Sequence, residues 1–382
     1  MADARSRDVF IVANNVEEMG GLMRFAHTLG RLLSEQGHNV RLVGIVHPQQ
    51  TFDYGHDLPY TTHVLHERHP PGPVEPKGLA QLNPRLQAKR AARSVIQRLG
   101  ARRLTRLLRT AQPGGIVIVT QIFAMEWVRL ANTHGLHVIG MSHESFSASK
   151  ASTRYRRVKR YYGDVERLLL LTQADADDWA LDGLSNVGVM PNPLGLEAPE
   201  LSPVDANVVV SLGRFSWEKG FDLLLDAWAE VTDRFPEWSL HLYGDGPDED
   251  ALRRRCEQLG LTTVKFCGRT TDVPSVLMGA SVYALSSRHE GMPVVLTEAL
   301  EFGVPCVAFD VSPGVREVVT HGKDGLVVAP GNTSRFADAL ATLMSNADLR
   351  REYGRHGHES VQRYAPAAIV DRWEREFRLL DR

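Results

Sequence analysis

The residues most able to do chemistry in this 382-residue chain fall into three short stretches. One is Ser286-Ser-Arg-His-Glu290-Gly-Met-Pro293-Val-Val-Leu-Thr-Glu298. Pro293 suits the first position of a helix, where its missing N–H costs nothing, so Glu290 falls in the preceding loop and Glu298 inside the helix. The backbone N–H groups near Gly291 and Met292 then face outward at a helix N-terminus, where they can hold a phosphate. Two carboxylates flanking such a site would repel the phosphate if they touched it. They suit neutral hydroxyls instead, one set on a sugar and one on a ribose. A second stretch, Gly213-Arg214-Phe-Ser-Trp-Glu-Lys219-Gly220, puts a guanidinium and an ammonium on one loop. Such a pair can clamp a diphosphate and stabilise a departing phosphate. The third, Asn14-Asn-Val-Glu-Glu-Met-Gly20-Gly21, lets backbone approach an anion at a helix start, although two adjacent glycines also describe a plain tight turn.

These stretches need strands that end where they begin. Asp8–Ala13 reads as a buried strand, 22–36 as an amphipathic helix and Asn39–Val46 as the next strand, which makes a βαβ unit. Further strands are predicted at 61–65, 116–120, 137–141, 167–171 and 187–190, with helices near 85–109, 123–133, 154–162 and 173–182. The proline-rich remainder of 47–84 reads as loop. After a linker at 191–203 the alternation restarts. Strands are predicted at 207–212, 239–243, 264–267, 281–285, 305–309 and 326–328, and helices at 221–234, 249–259, 293–302, 332–344 and 366–380. This is an α/β chain of two doubly wound domains, whose ligands belong in a cleft outside the carboxyl ends of the strands.

Composition excludes several classes. With 43% hydrophobic and 24% charged residues the chain is an ordinary globular one. No apolar run reaches the roughly 18–20 residues needed to span a bilayer, and residues 1–7 lead into the first strand without a signal-peptide core, so a cytoplasmic location is expected. Cys256, Cys267 and Cys306 match neither a disulfide framework nor a zinc site. The first turn lacks the G-x-G-x-x-G of dinucleotide enzymes. Asp175-Ala-Asp177-Asp178 spells a D-x-D metal motif, but it opens a helix after Thr172, where acids suit the dipole; no metal site is assigned. Residues 1–200 carry 24 Lys+Arg against 19 Asp+Glu, and residues 201–382 carry 20 against 27, so the halves differ in sign. Much of the excess lies in 85–109, with nine cations and no acid, and in 150–160, with six and none. A cationic helix over 85–109 suits an anionic bilayer or a polyanionic acceptor, or is an ordinary solvated helix with an apolar inner face.

Together, Gly-Gly after the first strand, G-R-x-x-x-x-K-G after the linker, G-D-G at 244–246 and S-x-x-E-G-x-P-x-x-x-x-E at 287–298 resemble the family 4 retaining glycosyltransferases of GT-B fold, also known as glycosyl transferases group 1. The resemblance implies two facing Rossmann-like domains. Residues 1–192 would bind the acceptor, 193–365 the nucleotide sugar, and 366–382 would form a helix returning to the first domain. It also implies a UDP-sugar donor and no cofactor or metal. By the same resemblance Arg214 and Lys219 hold the diphosphate, Glu290 the sugar hydroxyls and Glu298 the ribose. Phe266 and Arg269 lie against the base, and His143 reaches the donor sugar. Gly20, Gly21, Gly244, Gly291, Met292 and Pro293 complete the donor site. The chain departs from the family pattern at Ser312-Pro-Gly314-Val-Arg-Glu317, where relatives carry Gly-Gly, and at Pro191-Asn192-Pro193, a variant that resembles members using UDP-sugars. The expected acceptor is a hydroxyl of a cell-envelope glycan, a teichoic-acid-like polymer or a lipid-linked molecule, with peripheral contact to an anionic membrane and no nucleic-acid partner. A GT-B sugar-nucleotide epimerase, a transferase acting on a small neutral acceptor, and a silent binding protein are the alternatives.

Overall fold

The computed structural model describes residues 6–18, 20–48, 51–55, 57–67, 70 and 83–381. Most of the proline-rich loop expected between 67 and 84 lies outside them. The chain divides into two compact units, Met1–Pro193 with Ile369–Arg382, and Leu194–Ala368.

In the first unit, β1 (Asp8–Ala13), β2 (Asn39–Val46), β3 (Thr61–His66), β4 (Ile116–Val119), β5 (His137–Ser142), β6 (Arg167–Leu170) and β7 (Val187–Val189) form one parallel sheet in the order β3-β2-β1-β4-β5-β6-β7. Its helices are α1 (Gly21–Glu35), α2 (Pro84–Leu108), α3 (Ile122–Val128), α4 (Phe146–Lys150), α5 (Arg154–Tyr162) and α6 (Gln173–Leu181). Successive side chains along a strand point to opposite faces, so β1 serves two cores. Phe10 and Val12 join Leu104, Leu108, Trp127, Tyr162 and Trp179 beneath α2, α3, α5 and α6. Val9, Ile11 and Ala13 join Met23, Phe25 and Leu29 of α1 on the other face.

The second unit repeats the plan. β8 (Val208–Leu212), β9 (Ser239–Tyr243), β10 (Val264–Gly268), β11 (Val282–Leu285), β12 (Cys306–Phe309) and β13 (Gly325–Val328) run parallel in the order β10-β9-β8-β11-β12-β13. Around them lie α7 (Phe221–Ala229), α8 (Glu249–Gln258), α9 (Val273–Met278), α10 (Val294–Glu301), α11 (Pro313–Val318), α12 (Thr333–Ser345) and α13 (Ala347–Val361). The final helix, α14 (Pro366–Leu379), puts Ile369, Trp373 and Phe377 into the α1 face of the first unit's core. A hydrogen bond between His38 Nε2 and Glu374 and the Glu376–Arg167 ion pair fasten it there.

Several helices differ from the sequence reading. The helix expected over 221–234 ends at Ala229 and resumes as a single 3-10 turn at Thr232–Arg234, and the one expected over 123–133 ends at Val128. α4, α9 and α11 are too short to show a period. α13 is not expected from the sequence. Two of its glycines let it lie close on α10 and the turn after it: a Cβ at Gly357 would stand 2.6 Å from Leu300 of α10, and one at Gly354 2.0 Å from the Gly303 carbonyl oxygen.

Candidate active site

Strand order reverses at β1 in the first unit, which has β2 on one side and β4 on the other, and at β8 in the second, between β9 and β11. Loops leaving such a reversal point splay apart and open a crevice at the carboxyl ends of the strands. The sequence-selected residues leave from these ends: Gly20 and Gly21 after β1, His143 after β5, Arg214 after β8, Gly244 after β9, and Glu290 to Pro293 after β11.

In the second unit two of these loops are stitched together. Lys219 Nζ donates to Glu290 Oε1 at 2.7 Å, and Ser287 Oγ donates to the same oxygen at 2.7 Å. Arg288 holds Asp222 with both terminal nitrogens, at 2.8 and 2.6 Å, and reaches the Trp217 carbonyl at 2.8 Å. Ser286 Oγ donates to the Lys219 carbonyl. Gly220 makes the approach possible: it sits in the left-handed region at φ 62°, and a Cβ there would stand 2.1 Å from the Ser286 carbonyl oxygen. The Arg214 guanidinium, on the same loop, is exposed and makes no hydrogen bond or ion pair among the described residues.

Pro293 caps α10 from outside the helix in an extended conformation (φ −72°, ψ 105°), one position earlier than the sequence reading put it. Among the described residues neither the Gly291 nor the Met292 N–H donates to a protein acceptor. The Gly291 carbonyl accepts from Ser312 Oγ at 3.0 Å, and Gly314 packs on the same carbonyl. The departure at 312–317 therefore keeps a glycine against Gly291 and adds a hydroxyl that orients its peptide. Glu298 is buried within α10. Tyr283 lies close enough to both carboxylates that their charges, after burial, help hold its phenol protonated; its hydroxyl bonds the Leu212 N–H and carbonyl and fixes the end of β8. Arg269 pairs with Asp245 of the G-D-G turn at 2.7 Å, and Arg253 covers one face of the Phe266 ring. The Gly244 N–H donates to the Gly268 carbonyl at 2.8 Å.

In the first unit His143 lines a cavity of ≈ 250 Å³ with Thr120, Gln121, Glu144, Arg154 and Tyr162. Both His143 ring nitrogens are buried without a partner among the described residues, although the residue as a whole is half-buried. Burial, aided by the Arg154 charge, pushes its pKa from 6.5 down to about 3, so the ring is neutral at pH 7. Tyr162 Oη is likewise buried and unpartnered, and burial raises its pKa. Glu144 and Arg154 neutralise each other at 2.6 Å. The cavity thus offers neutral donors and acceptors. Gly20 is extended (φ 169°), and a Cβ on Gly20 or Gly21 would meet nothing within 4 Å, so internal packing requires neither glycine.

Of the D-x-D stretch, Asp175 is taken up inside the fold, while Asp177 is exposed and accepts from Gln173 of the same helix. Asp175 Oδ1 accepts from the Phe146 N–H and Oδ2 from Thr172 Oγ, while Thr172 caps α6 by accepting from the Asp175 N–H. Among the described residues no group of three or more His, Cys, Asp or Glu could hold a metal. The sequence reading assigns no contact to Arg288, Tyr283 or Tyr162, and none to Ser287 or Ser312, although Ser287 opens the S-x-x-E motif and Ser312 the departure at 312–317. These contacts are made across loops or strands, apart from that of Ser287, three residues before Glu290.

Residues 196–360 match the model of the glycosyl transferases group 1 family. The chain is 28% identical over 280 residues to a glycosyltransferase of Haemophilus influenzae, spanning 72% of this chain and 78% of that one. It is 25% identical to the amylovoran biosynthesis glycosyltransferase AmsD of Erwinia amylovora, spanning 96% and 98%. Staphylococcus aureus TarM, solved with fondaparinux, alpha-GlcNAc-glycerol and UDP, superposes with a TM-score of 0.79 at 14% identity, covering 97% of this chain and 99% of TarM. The fold is GT-B, and the chain is a relative of glycosyltransferases.

The neutral His143 predicts a pH effect on stability. Below its ordinary pKa of 6.5 the unfolded chain takes up a proton that the folded ring refuses until about pH 3. Stability is therefore lost as pH falls through that window, with a slope from this group approaching about 1.4 kcal/mol per pH unit. Denaturant unfolding between neutral pH and pH 4 should show a shallower loss for His143→Gln than for the wild type, and parallel curves would contradict the assignment.

Proposed function

We propose that the chain is a retaining, metal-independent glycosyltransferase that moves a sugar from a nucleotide-diphosphate sugar, with UDP as the favoured nucleotide, to a hydroxyl of a cell-envelope glycan or related polymer. The observation that carries this reading is the Lys219–Glu290–Ser287 cluster beside the unpaired Arg214 at the carboxyl ends of β8 and β11. Two cations next to the free N–H groups that precede α10 suit a diphosphate. Glu290 has one oxygen engaged by Lys219 and Ser287, which leaves the other to accept from a sugar hydroxyl. The UDP and alpha-GlcNAc-glycerol in complex with TarM and the amylovoran biosynthesis in the name of AmsD support the donor and acceptor classes.

In this reading the bond between the anomeric carbon and the phosphate oxygen breaks, and the acceptor oxygen bonds to that carbon on the same face. The acceptor proton passes to the departing phosphate. Arg214 and Lys219 stabilise the charge that grows there, a task that in other enzymes falls to a divalent ion. Neutral His143 gives or accepts a hydrogen bond at the sugar without adding charge to a site where cationic character develops on the ring. Gly20 and Gly21, which the fold itself does not require, leave room for a substrate to approach the start of α1.

The reading is tested by UDP release that depends on an added acceptor. Release without acceptor at the same rate, or interconversion of the free UDP-sugar, would overturn it. In that assay EDTA should leave turnover nearly intact, whereas loss restored by Mn²⁺ would contradict the metal-independent step.

Arg214→Ala and Lys219→Ala should each lower kcat about a hundredfold, on the order of 3 kcal/mol, with little change in Tm for Arg214→Ala and a lowered Tm for Lys219→Ala, which leaves Glu290 without its cation. Near-normal turnover in both would remove the diphosphate assignment. Glu290→Gln should impair use of the donor sugar more than binding of UDP, while Glu298→Gln should weaken UDP binding itself. Equal loss of UDP affinity in both variants, measured by calorimetry, would show that sugar and ribose are misassigned.

A further inference from the structure

The cationic stretches noted in the sequence become one surface in the fold. α2 and α5 both pack on α3, in the layer that covers one face of the first unit's sheet. Glu126 of α3 binds Arg93 of α2 at 2.7 Å and Arg157 of α5 at 2.7 Å. That carboxylate is thereby consumed, and it ties the two basic helices together. Other acids of the layer are also occupied: Asp182 by Lys159 and Asp164 by Arg129.

The two faces of α2 differ sharply. Leu104 and Leu108 point inward and are fully buried, with Gly100 and Ala101 beside them. At steps of three and four residues along the opposite side stand Val95, Arg98, Leu99, Arg102, Arg106 and the capping Arg109, all exposed. None of these arginines has a carboxylate partner among the described residues. On α5, Arg156 and Arg160 are exposed in the same way. Val95 and Leu99 are 55% and 47% exposed in the midst of this charge.

We propose that the outer face of α2, extended by α5, docks on an anionic lipid bilayer. The helix is about 37 Å long, and its convex outer side offers a row of cations rather than a groove. A polymer in water would gain little from the two apolar side chains, whereas a bilayer surface takes phosphate contacts from the arginines and seats Val95 and Leu99 at the headgroup boundary. The core has already claimed Leu104 and Leu108, so attachment is chiefly electrostatic, with each cation near the surface contributing roughly fivefold to partitioning. The proposal is independent of the donor and of catalysis.

The test is co-sedimentation of the full chain with vesicles of equal parts phosphatidylcholine and phosphatidylglycerol, set against vesicles of phosphatidylcholine alone. Binding is expected to the first and not the second, and to disappear when salt shortens the Debye length to about 3 Å. Charge reversal of Arg98, Arg102, Arg106 and Arg109 to Glu should lower partitioning by at least about a hundredfold. Val95→Ser with Leu99→Ser, which leaves the charge unchanged, should lower it several-fold. All six positions are exposed, so thermal melts of both variants should match the wild type. Equal binding to both vesicle types, no binding to either, or full binding by the charge-reversed variant would overturn the proposal. So would a Val95/Leu99 double variant that binds as the wild type while soluble polyphosphate displaces both, since that result assigns the face to a polyanionic polymer.

Discussion

A lysine and a glutamate 71 residues apart in sequence meet at 2.7 Å where β8 and β11 end. The pair lies between two loops that would otherwise be free to separate, and both charges are largely withdrawn from water, with Lys219 33% and Glu290 11% exposed at the side chain. Removing either partner would leave the other charge poorly solvated, so the contact enforces the loop geometry as much as it reports it. The Arg288–Asp222 fork and the left-handed Gly220 do the same work a few ångströms away. Together they hold the Arg214 loop and the N-terminus of α10 in one register.

The first unit handles charge in the opposite way. Its cavity beside His143 contains a histidine held neutral, a phenol held protonated and an ion pair that cancels itself. Unpartnered buried nitrogens and oxygens each carry a desolvation cost of about 1–3 kcal/mol, which a hydroxyl-rich ligand would relieve. Among the described residues the second unit gathers cations and free N–H groups at its strand ends, whereas the first lines its cavity with neutral hydrogen-bonding groups. Much of the first unit's exposed positive charge lies on the outer face of α2 and on α5.

Much of this was legible in the sequence because it is local. β1 is a short apolar run buried on both faces and β9 alternates polar with apolar residues, and β1, β2 and β9 are read from the sequence with the same ends as in the structure. The spacing from Glu290 to Glu298 needs only one loop and one helix to be understood. The sequence also indicated which residues are cationic over 85–109, since charge is a property of composition.

Tertiary structure decided what depends on approach between distant segments. Sequence could not show that Lys219 would pair with Glu290 rather than stand free beside Arg214, because the pairing is made by strand order. Nor could it reveal that Gly354 marks a close approach of α13 to the turn after α10 rather than a break, since glycine's missing Cβ means one thing in isolation and another beneath the Gly303 carbonyl. The two sides of α2 were equally hidden: leucine and arginine alternate along it, and only packing on the sheet turned Leu104 and Leu108 inward and left Leu99 among arginines. Residue type and spacing fix which groups are available, whereas distances between them, and hence their charge states and partners, follow from how the sheets bring strand ends together.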